Sequence, residues 1–290
     1  MGACRPRGRC IGLALGLLLA MAMLASCAQR PPVFAPQAAA QRLLAELPQR
    51  PYWLLGEQHD APEHQQLAAA LVTQLAAQGR LGALVLEMAP RGGGTTTLAR
   101  DADASAVQAA LRWDDGAWPW AAYGPVVLAA VRAGVPVAGG NLPRAELRDA
   151  MKNEALDGTV SAETHQKHLE NVRTGHCDLL PATQLGPMAR VQIARDRSMA
   201  QVLQEQASRV ATRPGQVVLL VTGNVHADAT LGVPLHLPAG SSVSVRLAPQ
   251  GPGAEAPGAT PGYDRTLGTP PVPPQDYCAQ VRRPPAAITR

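Results

Sequence analysis

Lysine is nearly absent from this 290-residue chain, which holds only Lys152 and Lys167 beside abundant arginine and alanine, a compositional bias that carries no functional reading. Basic residues exceed acidic ones by four. Three of them, Arg5, Arg7 and Arg9, lie in a leader without acids, so the excess beyond residue 26 falls to +1. A nucleic-acid-binding surface normally carries a basic stripe on the folded part, and none is present. No apolar run reaches the about 20 residues of a bilayer span; the run from Ile11 to Leu24 has 14. Gly-x-Ser-x-Gly is missing too, which removes the commonest serine-nucleophile signature. What is present, 46% hydrophobic and 17% charged residues, suffices for a buried core and excludes a wholly disordered chain.

Residues 1–26 have the three parts of a secretory signal: a basic start, the apolar run and the small residues Ala25 and Ser26. Leu24-Ala25-Ser26-Cys27 resembles a bacterial lipobox, in which Cys27 becomes the lipidated first residue; an ordinary signal cleaved nearby is the alternative. Ala28 after the cysteine favours, by resemblance to lipoprotein sorting rules, an outer-membrane lipoprotein facing the periplasm or the surface. The only membrane contact expected is the lipid anchor.

Cys4 and Cys10 leave with such a leader and Cys27 takes lipid, so Cys177 and Cys278 remain in an oxidising space. A bridge between them would close a loop of about 100 residues, with a chain-entropy ceiling of roughly 4 to 5 kcal/mol. Two free thiols are the alternative.

Residues 27–44 read as a lipid-attached linker. Four short apolar runs, Tyr52 to Leu55, Ala83 to Leu86, Val135 to Ala138 and Val217 to Thr222, read as buried parallel strands, with Ser242 to Leu247 as an alternating edge strand. Helical periodicity over Glu63 to Gln78 and Tyr123 to Ala133 separates them. The expected domain, 45–247, is an α/β fold: a mostly parallel sheet with crossover helices, plus a strandless helical insertion at about 144–210 that caps one end. Ten prolines and five glycines from Ala248 onward make 248–290 a mostly irregular tail.

Polar residues collect after each strand: Gly56-Glu57-Gln58-His59, Glu87, Asn141, and Gly223-Asn224-Val225-His226. In an open parallel sheet these positions share the carboxyl edge, where such folds place ligands. Glu57, His59, Glu87 and His226 would suit a divalent metal. They would equally suit acid/base hydrolysis. Other residues are more ambiguous. His64 reads as exposed, though it can reach a pocket mouth; Trp113, Trp118, Trp120 and Tyr123 form either a wall for a flat ligand or core. Gln192 and Asp196 share a helix face that either looks into the site or is solvated, and His165 and His168 read as exposed.

These motifs, taken in order with Leu86-Glu87-Met88, Trp120 to Tyr123, Asn141-Leu142-Pro143-Arg144, His176-Cys177 and Gly232-Val233-Pro234, resemble the ChaN-like lipoproteins over roughly residues 45–237. The wider superfamily includes erythromycin esterases and the Tiki and TraB proteins. The resemblance implies haem binding and a role in iron uptake or haem handling. Axial-ligand candidates are His59, His64, Tyr123 and His226, with Arg144 as a propionate partner and a shallow site that a homodimer can share. Cys-x-x-Cys-His is absent, so covalent c-type attachment is excluded. A periplasmic hydrolase built on Glu57, His59, Glu87 and His226, metal-dependent or acid/base, is the alternative.

Overall fold

Apart from Gly2, the computed structural model describes residues 34–210, 215–250 and 260–282. The leader, Cys27 and, in the Pro/Gly-rich tail, residues 251–259 and 283–290 lie outside the described residues. From Ala35 the chain forms one compact unit around a six-stranded, all-parallel sheet in the order β3-β2-β4-β1-β5-β6.

The chain opens on α1 (Pro36–Glu46), whose Ala39, Ala40 and Leu43 are buried, so the expected linker ends several residues early. After β1 (Tyr52–Glu57) comes α2 (Pro62–Ala77), started by a proline in its first turn, where the missing N–H has no intrahelical role. Next is β2 (Leu81–Pro90), followed by α3 (Ala104–Leu111) and α4 (Trp120–Ala133). Asp103 caps α3 by accepting the Ala106 N–H, and Gly134 closes α4 at a φ of 73°. After β3 (Val137–Asn141) the insertion holds α5 (Leu147–Lys152), α6 (Ala162–Gly175) and α7 (Ala182–Val210). The chain then runs through β4 (Val217–Gly223), the single turn α8 (Asn224–Ala227), β5 (Ser242–Pro249), β6 (Arg265–Thr269) and α9 (Tyr277–Arg282).

Every residue of β1 and β4 is buried, as expected of central strands covered on both faces. One face of the sheet presents Leu54, Val85, Ala138 and Leu220 to Met199, Val202 and Leu203 of α7. The longest helix of the insertion is thus the crossover onto the sheet, and the cap over the edge is left to α6. Two expectations are corrected. β5 is internal, because β6 pairs along its outer side in register from Val245↔Arg265 to Pro249↔Thr269. The tail accordingly holds a strand and a helix, and backbone pairing to β5 overrides its unfavourable composition.

Strand order decides where the site forms. β4 lies between β2 and β1, with Leu86 level with Val221 and Glu57 level with Gly223, so three neighbouring strands end together. The structure also has positions with no room for a side chain. A Cβ on Gly139 would lie 2.1 Å from the Pro90 carbonyl oxygen, whereas one on Gly186 meets nothing within 4 Å. Gly139→Ala should therefore lower stability by about 1 to 3 kcal/mol in urea unfolding, and Gly186→Ala should shift it by less than about 1 kcal/mol. Equal effects from both would contradict the close approach of β2 and β3.

Candidate functional site

Glycine makes the first contact of the site possible. A Cβ on Gly56 would lie 2.8 Å from Asn224 Oδ1 and 2.9 Å from Ala227 Cβ; one on Gly223 would sit 3.0 Å from His59 Nε2. Without side chains at these two positions, the loops after β1 and β4 close onto each other.

Glu57, the last residue of β1, is buried and fully engaged. Its Oε1 accepts from the Tyr123 hydroxyl at 2.6 Å and from His59 Nδ1 at 3.0 Å, and its Oε2 accepts from Gln65 Nε2 at 3.1 Å. With Nδ1 committed, His59 presents Nε2 to the opening between the loops. Its side chain keeps 35% of its exposure, so a ligand can reach it. Trp118 meets the ring edge-on at 4.8 Å between centroids, and Trp113 and Trp118 both pack on Tyr123. The aromatic cluster therefore backs the His59–Tyr123 pair.

Glu87, on β2, is buried and takes two bonds on one oxygen: the Thr222 hydroxyl and the Gly223 N–H each donate to Oε2 at 2.7 Å. Its Oε1 lies 3.7 Å from His226 Nε2, and His59 Nε2 is 3.9 Å from Oε2. Asn141 donates to the Glu87 carbonyl oxygen at 2.8 Å and holds that strand end in place. On the far side His226 Nδ1 meets Asp196 Oδ1 at 2.6 Å, so Asp196 of α7 faces the site and is not solvated.

Charges this deep must compensate one another. Burial works against the Glu87 carboxylate, but His226, His59, the Gly223 amide and the Thr222 hydroxyl outweigh it and hold its pKa at about 2. Burial likewise opposes the His226 imidazolium, yet Asp196 and Glu87 push its pKa up to about 9. Desolvation raises Asp196 to about 6 against the pull of His226. His59 moves up, with burial overcome by the Glu57 hydrogen bond and the Glu87 charge. Burial and Glu57 raise Tyr123 far above the usual phenol range and keep it a neutral donor.

A cavity of about 700 Å³ opens over these groups, walled by the β1 and β4 loops, by α6 and by Tyr277. Four of the seven histidines line it: His59, His168, His176 and His226. Gln192 lines it too. A larger cleft of about 960 Å³ between α5 and α7 has none of the converging carboxylates in its wall.

Several expected roles change. His64 is wholly buried: its Nδ1 accepts the Gln58 N–H at 2.9 Å and its Nε2 meets Thr269 Oγ1 at 2.8 Å. Both ring nitrogens are used, burial lowers its pKa to about 4, and neither exposure nor iron ligation fits the residue as placed. His168 is also buried, on the inward side of α6, with no hydrogen-bond partner on Nε2. His165 is half-buried and meets Asp157 at 3.2 Å. Arg144 is exposed and is not part of the cavity wall. Among the described residues no group of three or more His, Cys, Asp or Glu is arranged to hold a metal ion. Both Glu57 oxygens and Glu87 Oε2 already accept from protein donors, and Glu87 Oε1 faces the His226 imidazole at 3.7 Å, so the divalent-metal alternative finds no support. Tyr277 was not singled out from sequence; its adjacency to Cys278 was the available signal.

The family profile described as "Haem-binding uptake, Tiki superfamily, ChaN" matches residues 43–237. This chain belongs to that family. Among solved structures, the protein described as "Cofacial heme binding to ChaN of Campylobacter jejuni" is 22% identical with a TM-score of 0.61, covering 80% of this chain and 91% of that one, and shows the shared fold. A mutant of the erythromycin esterase EreC in its open conformation (14% identity, TM-score 0.42, 71% of this chain and 72% of that one) and the type III effector HopBA1 (13%, 0.43, 84% and 97%) are more remote. No curated protein matches. Within the ChaN family frame, the buried charges at the carboxyl edge belong to the matched segment, whereas β5, β6 and α9 lie beyond it.

The electrostatics predict a pH dependence with a definite sign. His226 binds its proton more tightly folded, near pKa 9, than at its ordinary value of 6.5. Its stabilisation is therefore complete below pH 6.5 and is lost as pH rises through 9. Wild-type stability should fall by on the order of 3 kcal/mol over that window, and His226→Gln should flatten the profile in urea unfolding. A flat wild-type profile would show that the imidazolium is not held by Asp196 and Glu87.

Proposed function

We propose that this chain binds haem in the cavity over His59 and that His59 Nε2 is the iron ligand. The observation that carries the reading is a reachable imidazole nitrogen at the carboxyl edge whose partner nitrogen is fixed by Glu57. That arrangement orients the ring and raises its basicity toward a metal. The rim suits a flat apolar ligand: Val225 and Tyr277, 45% and 51% exposed, are two of the four exposed large hydrophobic side chains among the described residues, and both border the cavity. Gln192 and His176 supply polar partners for an acidic ligand edge. Family membership supports the same ligand class.

The C. jejuni ChaN binds haem cofacially. Two copies of this chain apposed mouth to mouth would bring two such ligands together, which fits an open site with one protein-covered face. The chain's place, on this reading, is the cell envelope, tethered by lipid on Cys27 and serving iron uptake or haem handling. The Cys177–Cys278 disulfide supports an oxidising compartment. No helix among the described residues is long and apolar enough to cross a membrane. A second reading rests on the same dyad, since His59 with Nδ1 on Glu57 and Nε2 free is also a general base.

Hemin added to the purified protein should give a saturable Soret band, lost in His59→Ala and kept in Tyr123→Phe. Loss in Tyr123→Phe with retention in His59→Ala would move the ligand to the tyrosine. An unsaturable response, with ester hydrolysis abolished by His59→Ala, would favour the acid/base reading. Intact mass should exceed the peptide mass by a diacylglyceryl-type lipid, and Cys27→Ser should remove the excess and release the protein from the membrane fraction. An unlipidated wild-type chain would refute the anchor.

A further inference from the structure

The segment after β6 follows a fixed path to the cavity. It begins where His64 holds Thr269 at 2.8 Å and runs through Pro270, Pro271, Pro273 and Pro274, a composition that favours a stiff extended strap. It ends at Cys278, bonded to Cys177 just past α6. Cys177 and Asp178 take positive φ values of 60° and 59°, a turn disfavoured for residues with a Cβ and here closed by the crosslink. Between these two pins Tyr277 reaches the β1 loop, where its hydroxyl donates to Asp60 Oδ2 and accepts from Gln58 Nε2 at 3.5 Å. Its ring stays half exposed and borders the cavity beside Val225.

A tyrosine bonded this way has its polar end satisfied and its apolar face unspent. We propose that Tyr277 is a ligand-contacting residue, set at the cavity mouth by the disulfide and the proline strap, whose phenol ring packs against the bound macrocycle. The inference rests on the haem reading above and adds to it a residue outside the matched family segment. Asp60 accepts the hydroxyl proton, so the ring serves as a packing face and not as an anionic iron ligand. His64 gains a role here as the residue that fastens the start of the strap.

The test is hemin titration of wild type, Tyr277→Phe, Tyr277→Ala and Cys278→Ser, followed by Soret absorbance, with thermal melts to establish that each variant is folded. Phenylalanine should bind like wild type. Alanine should weaken affinity roughly tenfold, the scale of one lost aromatic contact, at an unchanged Soret position. Cys278→Ser should weaken it similarly by releasing the strap. Wild-type affinity in Tyr277→Ala overturns the proposal, whatever Cys278→Ser does. A Soret shift in Tyr277→Phe overturns it in favour of iron ligation by the phenol. A wild-type protein with no saturable band removes the haem reading and this inference with it, whereas a wild-type band that Tyr277→Ala leaves intact removes the inference alone.

Discussion

The buried Glu87 carboxylate is the constraint on which the rest of the site depends. It sits on β2 but is satisfied by Thr222 and Gly223 of β4, and it faces His59 from the β1 loop and His226 from α8. A carboxylate removed from water this completely is tolerable only with such partners. It therefore fastens three neighbouring strand ends to one another. Two glycines, Gly56 and Gly223, are the geometric condition, since a side chain at either would hold the loops apart.

From that centre the charge balance spreads outward in both directions. Toward α7, His226 hands the balance to Asp196, which ties the long crossover helix to the edge of the sheet. Toward α4, the Glu57–Tyr123–His59 group continues it into the aromatic cluster, which stiffens one imidazole and leaves only its Nε2 for outside use. The inner histidine is thus a structural cation and the outer one the group available for ligand chemistry. Two residues that look alike in sequence, each following a strand and a glycine, are divided by the carboxylates around them.

Periodicity and turn residues made the sheet readable: buried apolar runs marked β1 to β4, and the polar residues after them marked one edge. Asp196 was legible as a residue that shares a helix face with Gln192, although only contact with His226 shows what it does. Composition misled in the tail, where proline and glycine argued for irregularity and β6 pairs with β5 all the same. Polarity misled at His64 and His168, because a histidine whose nitrogens find partners, or that lies on the buried side of its own helix, carries no local sign of burial.

By itself the sequence determined the fold class, the placement of Glu57, His59, Glu87 and His226 at strand ends, and the cysteines available for pairing. These follow from local rules, namely alternation, strand length and the turn chemistry of glycine. Tertiary structure alone decided which histidine is locked and which is open, that Tyr277 stands at the cavity mouth, and that no metal cluster forms from four suitable residues. Those outcomes depend on which distant residues meet each polar group and pin each segment. Glu87, for one, finds its Gly223 partner 136 residues along the chain, and only the strand order β2-β4-β1 brings the two within hydrogen-bond reach.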